Sequence, residues 1–274
     1  MIVLVTDSTA YFTQKEAKAL GVVQVPMTYT YEGRRLYSEG YIDEDESTML
    51  PAVAGGVTHY STAQASLAAF LSTLEDILAD GSQAIVITIS SRLSGTYANA
   101  HKAAQELGGD RVAVVDSKTT AGAMYMLLAK AREWIDAGLT LPEVVARVKE
   151  AREKTRTFFS VEDMEPLRRS GRLGFVRLSV STILNIRPIL KLTSGGVNAY
   201  GMARGRQEQM RLLEDAVAHY RGPVVVQHCQ AEGMAAQLAQ RLRLKGIPVM
   251  ERLLGPVLAI HLGSGCLSVA WIEG

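Results

Sequence analysis

The feature that most constrains this chain is a regular alternation, over its first half, of short aliphatic runs with longer stretches of helical periodicity. "MIVLVT", "AIVITI" and "RVAVV" are too short for helices and lack polar alternation, the pattern of strands buried on both faces. In "STAQASLAAFLSTLEDILADG", Leu67, Phe70, Leu71, Leu74, Ile77 and Leu78 fall on one helical face, and Ser61 with Gln64 reads as a capping box. Helices are expected over 95–107, over 120–137 and from about 141, where Thr140 and Glu143 bracket Pro142 as a second capping box. Thr13 and Glu16 form another, in a helix that ends at Gly21. "VVQVPMTYT" reads as one strand, and residues 32–58 as an irregular excursion. Strands separated by such helices predict a parallel sheet covered on both faces.

Ligands of such sheets sit beyond the carboxyl ends of the strands. Polar loops fall at those ends here: "TDSTA", "SSRLSG" and "DSKTT". In "SSRLSG" the unpaired N–H groups of a helix start suit an anion or a carboxylate, although Ser94 read alone serves equally well as a cap for its own helix.

The second half changes character. "TRTFFSV" is strand-like, and "EDMEPLRRSGRL" is a short helix ending at Gly171. "IRPILKL" and "VNAYGM" flank "TSGG" as a hairpin. A helix over 204–220, the strand "PVVVQHC", a helix over 231–245 and the strand "IPVMERLL" follow. The chain closes with "VLAIHLG", where His261 ends a strand, and "LSVAWI". The expected architecture is α/β: a Rossmann-like parallel-sheet domain over 1–155, a second α+β domain over 156–274, and a ligand between them.

Bulk composition narrows the function. A chain of 274 residues that is 47% hydrophobic supports a large core, and a net charge of +1 makes no case for nucleic acid. No apolar run approaches the roughly 18 residues of a membrane span. Cys229 and Cys266 lie in apolar runs and no secretory signal opens the chain, so they read as buried thiols in a reducing cytoplasm. There is no P-loop, no G-x-S-x-G elbow, no H-E-x-x-H helix and no C-x-x-C pair. "GSGCLS" half-resembles a dinucleotide loop but leads into a strand. No nucleotide or metal site of its own is expected. Arginines are dense from 168 to 211: Arg168, Arg169 and Arg211 read as solvated, while Arg172 lies between Gly171 and Gly174 just past a helix end. Arg204 and Arg206 oppose the dipole of a helix start, which suggests an anionic partner. His261 is followed by glycines that allow close approach of backbone to a ligand, though a structural role at a strand end is the plainer account.

Taken in order, "VTDSTA", "YSTAQAS", "ISSRLSGTYANA", "VVDSKTTAG", "LRRSGRLG", "ILNIRPIL", "GMARGR" and "HLGSG" resemble the DegV family, the fatty-acid-binding subunits of bacterial fatty acid kinases, over nearly the whole chain. The resemblance implies that two domains close on one long-chain fatty acid, such as palmitate or oleate. Its carboxylate would be held by Thr62, Ser94 and Gly95, with Arg172, Arg204 and His261 supporting phosphoryl transfer. It implies further that a separate kinase subunit supplies ATP and magnesium to make an acyl phosphate, so that this chain is not an enzyme alone. It leaves room for transient membrane contact during lipid exchange. Ala63 and Ala65 stand where the family has serine and proline, and Ser264 stands where it has proline, which puts the fine geometry in question. Two alternatives stay open. One is a self-sufficient enzyme using His261 on a small carboxylate or carbonyl substrate, as the architectural likeness to dihydroxyacetone kinase subunits suggests. The other is a lipid carrier or sensor with no kinase partner.

Overall fold

A computed structural model describes residues 1–33, 35–45, 59–173 and 186–274. The strands in chain order are β1 (Ile2–Asp7), β2 (Val22–Val25), β3 (Thr28–Tyr31), β4 (Arg35–Ser38), β5 (Tyr60–Ala63), β6 (Gln83–Thr88) and β7 (Val112–Asp116). They continue with β8 (Thr155–Ser160), β9 (Ile186–Thr193), β10 (Gly196–Arg204), β11 (Val224–Cys229), β12 (Val249–Leu253) and β13 (Cys266–Ile272). The aliphatic runs of the first half form a parallel sheet of order β2-β1-β6-β7. Its strands are joined by helices that include Leu67–Ala79 and Thr96–Leu107, and the Ala121–Asp136 and Leu141–Glu153 helices follow β7. The Thr13–Glu16 box forms as expected, with Thr13 Oγ1 accepting from the Glu16 amide at 3.1 Å and the Glu16 carboxylate accepting from the Thr13 amide at 2.9 Å. At Thr140 the amide donates to Glu143 at 2.8 Å.

The second half builds a six-stranded mixed sheet of order β10-β9-β8-β13-β11-β12. Its inner face is covered by the Ala121–Asp136 helix, which also packs on β1 and β6. Gly122 makes that contact possible: a Cβ there would stand 2.8 Å from Val225 Cγ1 and 2.7 Å from Gln227 Oε1. The sheets therefore share one helix, and the space beside it is where the cavity lies.

Four expectations are corrected. The run "VVQVPMTYT" is two strands, because Pro26 has no N–H for a ladder; β2 joins the parallel sheet and β3 leaves it. β3 instead centres a small antiparallel sheet of order β4-β3-β5. The excursion over 32–58 is thus partly regular, with β4 and a helical turn at Ile42–Asp45, while residues 46–58 lie outside the described residues. The expected Ser61–Gln64 capping box is absent. Tyr60–Ala63 is β5, paired with Thr28–Tyr31, and the helix begins at Leu67 with Ser66 Oγ accepting from the Ala69 amide at 3.1 Å.

The last correction concerns His261, which lies on a helix, Pro256–Leu262, and not at a strand end. Pro256 sits at the first turn, where its missing N–H costs nothing, and Gly263 at φ +74° ends the helix. The next two amides are capped from the other half of the chain. Val257 donates to Glu39 Oε1 at 2.7 Å and Leu258 to the Tyr11 hydroxyl at 3.1 Å.

Candidate functional site

A cavity of about 510 Å³ opens between the two large sheets. Most of its wall is apolar, from Met27, Ile89, Leu93, Ala121, Phe159, Leu167, Leu192, Val197, Leu254, Val257, Leu258 and Leu262. Thr62, Ser94, Arg172 and His261 line it as well. β5 carries Thr62 and the Pro256–Leu262 helix carries His261, and their side chains meet with Thr62 Oγ1 2.8 Å from His261 Nε2. Burial, with Arg172 nearby, pushes the His261 imidazole down to about 4, so it is neutral at physiological pH. A neutral imidazole donates through one ring nitrogen only, and Nδ1 is buried with no hydrogen-bond partner.

Ser94 is set by its own loop. The amides of Leu93 and Ser94 both donate to the Ser90 carbonyl, at 2.9 and 3.1 Å. Ser94 Oγ lies 2.9 Å from Thr96 Oγ1, and the Thr96 amide donates to it at 3.3 Å. The other serines of the loop do other jobs. Ser90 Oγ donates to the Gly195 carbonyl of the β9–β10 turn at 2.7 Å, and Ser91 clasps Asp116 through both its amide and its hydroxyl. Gly95 lies close against the Gln64 side chain, whose amide end would have to move for a Cβ to fit there. Thr96 Oγ1 in turn accepts from the Ala65 amide, and Asn99 Nδ2 donates to the Ala65 carbonyl at 2.8 Å. The "STAQAS" and "SSRLSG" segments are thereby tied together.

The "TDSTA" loop supports this arrangement from below. Asp7 is buried and accepts from the Ile89 amide at 2.6 Å and from Thr9 Oγ1 at 2.6 Å, while burial pushes its carboxyl above the ordinary range. Arg172 follows the short Glu165–Arg169 helix and donates through Nε to the Leu93 carbonyl at 3.3 Å, which fixes it beside the Ser94 loop.

Thr62, Ser94, Arg172 and His261 thus meet at one cavity, while Gly95 is not among the residues that line it. Arg204 does not join them. It ends β10 at the sheet edge, exposed, with its amide donating to Glu208 at 2.6 Å. Arg169, which reads as a solvated arginine in the sequence, lines a second cleft of about 250 Å³. Thr62, Arg172 and His261 line both spaces, and Tyr60, Ser61 and Ser170 line the cleft with them. Arg169's place in "LRRSGRLG", three residues before Arg172, was the available signal. Cys229 and Cys266 are free and buried, opposite one another on β11 and β13. Burial pushes Cys229 up to about 12 and Cys266 upward as well, so both are inert thiols. Among the described residues no cluster of His, Cys, Asp and Glu is arranged to hold a metal ion, and no helix is long and apolar enough to cross a membrane.

An apolar cavity with its hydroxyls, an arginine and a neutral histidine gathered together suits an amphipathic anion. All 274 residues match one family, the uncharacterised DegV proteins. The chain belongs to the DegV family. A DegV domain-containing protein of Deinococcus radiodurans is 32% identical, over 98% of this chain and 97% of its own length. The fold is similar to that of a DegV family protein from Thermus thermophilus described as binding fatty acid. The TM-score is 0.89 at 31% identity, with 99% of each chain covered. A Thermotoga maritima protein for which a fatty acid binding function is described matches with a TM-score of 0.85 at 25% identity, covering 99% of this DegV chain and 98% of that one.

Proposed function

We propose that this DegV protein binds one long-chain fatty acid between lobes 1–155 and 156–274 and presents its carboxylate to a separate kinase subunit. The observation that carries the reading is the cavity itself, an apolar chamber of about 510 Å³ whose wall includes Thr62, Ser94, Arg172 and His261. Burying an acyl chain contributes about 0.8 kcal/mol per CH₂. A carboxylate drawn in behind it is costly unless donors meet it, and the hydroxyls of Thr62 and Ser94 and the Arg172 guanidinium are the donors this wall offers. The fatty acid binding described for the Thermus relative, at 31% identity, supports the same ligand class.

Presentation is supported by the outer cleft. Because Thr62, Arg172 and His261 face both spaces, a carboxylate they hold lies against a surface that a second protein can reach. In the proposed step a carboxylate oxygen attacks the γ-phosphorus of ATP brought, with Mg²⁺, by the partner. The bond to the ADP oxygen breaks, and acyl phosphate and ADP result. Arg172 and Arg169 would meet charge on the transferred oxygens, and neutral His261 would hold a proton in a hydrogen bond without adding charge. Arg204, exposed at the end of β10 and lining neither space, is given no role in the transfer step.

Native mass spectrometry of the protein as purified tests the binding step. A non-covalent adduct of fatty-acid mass, one per chain, is expected, whereas a covalent mark on His261 would favour a self-sufficient enzyme. Phosphorylation of palmitate by the purified chain and ATP alone would overturn the division of labour.

A further inference from the structure

Resting on the reading of the cavity as a fatty-acid site, we infer that the preferred ligand carries a hydroxyl along its chain, met by a polar cluster around Gln227 and Thr120. Besides Thr62, Gln64, Ser94, Arg172 and His261, four more polar side chains line the cavity, Thr120, Thr157, Gln227 and Ser268, and none of these four is needed for the carboxylate. Gln227 and Ser268 are directly paired on β11 and β13, and Thr157 lies on the adjoining β8. Gln227 is 1% exposed, Ser268 5%, Thr120 7% and Thr157 8%.

Two of these groups are unpartnered. The Gln227 amide is fixed in orientation because its Oε1 accepts from the Gly122 amide at 2.7 Å. That leaves Nε2 as a donor, and it has no partner. Thr120 occupies the N-cap position of the Ala121–Asp136 helix, where a threonine hydroxyl ordinarily accepts from the first turn. Here it makes no capping bond, and Oγ1 is also buried and unpartnered. Thr120 and Gln227 are neighbours through Gly122, two residues beyond Thr120.

A purely hydrocarbon chain would leave both groups desolvated and unpaired, the costly condition for a buried donor. A chain hydroxyl resolves it, because one hydroxyl accepts from Gln227 Nε2 while exchanging a hydrogen bond with Thr120 Oγ1. Leucine and valine would fill these positions at similar volume if only methylenes were to pass. The ligand class is therefore a monohydroxy fatty acid.

Calorimetric titration of delipidated protein with stearate and with monohydroxystearates substituted along the chain is the test. At least one hydroxy isomer should bind the natural protein about tenfold more tightly than stearate, as one satisfied buried pair implies. In Gln227→Leu the ranking should invert, with stearate binding more tightly than to the natural protein. Thr120→Val is the second variant, should the first fail to fold, and it should shrink the same preference. No isomer exceeding stearate, or an unchanged preference in the variants, overturns the inference while leaving fatty-acid binding intact. Failure of every acid, stearate included, overturns the underlying reading instead.

Discussion

Ser94 and Thr62 bring hydroxyls to the same cavity, one held by its immediate neighbours in the chain and the other from a great distance. The Ser94 hydroxyl is set within its own loop by Ser90 and Thr96, while the loop around it reaches the second half through Ser90 Oγ on Gly195 and the Leu93 carbonyl on Arg172. Thr62 sits on β5, which exists only through pairing with Thr28–Tyr31, and its hydroxyl meets a histidine 199 residues later. The His261 helix is seated in turn on Tyr11 and Glu39 of the first half. Beside it Arg252 reaches across to bond Glu16 at 2.6 Å, meets the Tyr11 carbonyl, and lies 3.9 Å from the Tyr125 ring centre. A site built this way ties the Thr62 hydroxyl directly to the second half of the chain, whereas the Ser94 hydroxyl meets that half only through its neighbours Ser90 and Leu93.

The difference can be broken at its long-range arm. Arg252→Met is expected to have the largest effect, about 2 kcal/mol of stability in chemical denaturation, because Arg252 is nearly buried while Glu16 keeps some access to water. Its signature should be weakened fatty-acid binding with the Ser94 loop still protected in hydrogen exchange. Equal loss of protection in both segments would contradict the distinction.

Acid acts on the same arm. His261 titrates near 6.5 when unfolded and at about 4 when folded, so its contribution is complete above 6.5 and is lost as the pH falls toward 4. Glu16 lies below the ordinary carboxylate range, because the Arg252 and Thr13 hydrogen bonds outweigh a burial that alone would raise it; its contribution goes at still lower pH. Buried Asp7, pushed upward, works in the opposite sense. The informative quantity is therefore the difference between the natural protein and His261→Gln in urea midpoint between pH 7 and 4, which should shrink on acidification. A constant difference would mean that His261 does not titrate in this window.

Next in size is Thr62→Val, which removes the hydroxyl at nearly constant shape and strands His261 Nε2. About 1 kcal/mol of stability and roughly tenfold in fatty-acid affinity should go together, read by denaturation and calorimetry. Ser94→Ala should be smallest in stability, within about 0.5 kcal/mol, while still costing several-fold in affinity. A stability loss as large as that of Thr62→Val would erase the contrast.

The same contrast explains what was legible in the sequence. The parallel sheet, the Thr13–Glu16 box and the Ser94 loop follow from residues near one another in the chain, and each lies where the pattern puts it. β5 was hidden because "YSTAQAS" carries a plausible capping box, and its real partner, β3, lies about 30 residues earlier beyond a proline. The His261 helix was hidden because its caps, Glu39 and Tyr11, are more than 200 residues away. Gly255, Pro256 and Gly263 nonetheless frame it with the residue types that begin and end helices, a signal outweighed by the aliphatic run between them. The polar residues among the cavity's apolar walls were unreadable for a related reason: Thr120, Thr157, Gln227 and Ser268 converge from separate elements.

The most direct measurement is the carbon-13 spectrum of carboxyl-labelled palmitate bound to delipidated protein, followed through a pH titration. The account predicts one bound resonance at one acid per chain, with a carboxyl that stays ionised below the pH at which free acid protonates and that shifts in Thr62→Val and in Ser94→Ala. A bound carboxyl that titrates like the free acid and is blind to both substitutions would place the head group elsewhere and contradict the account.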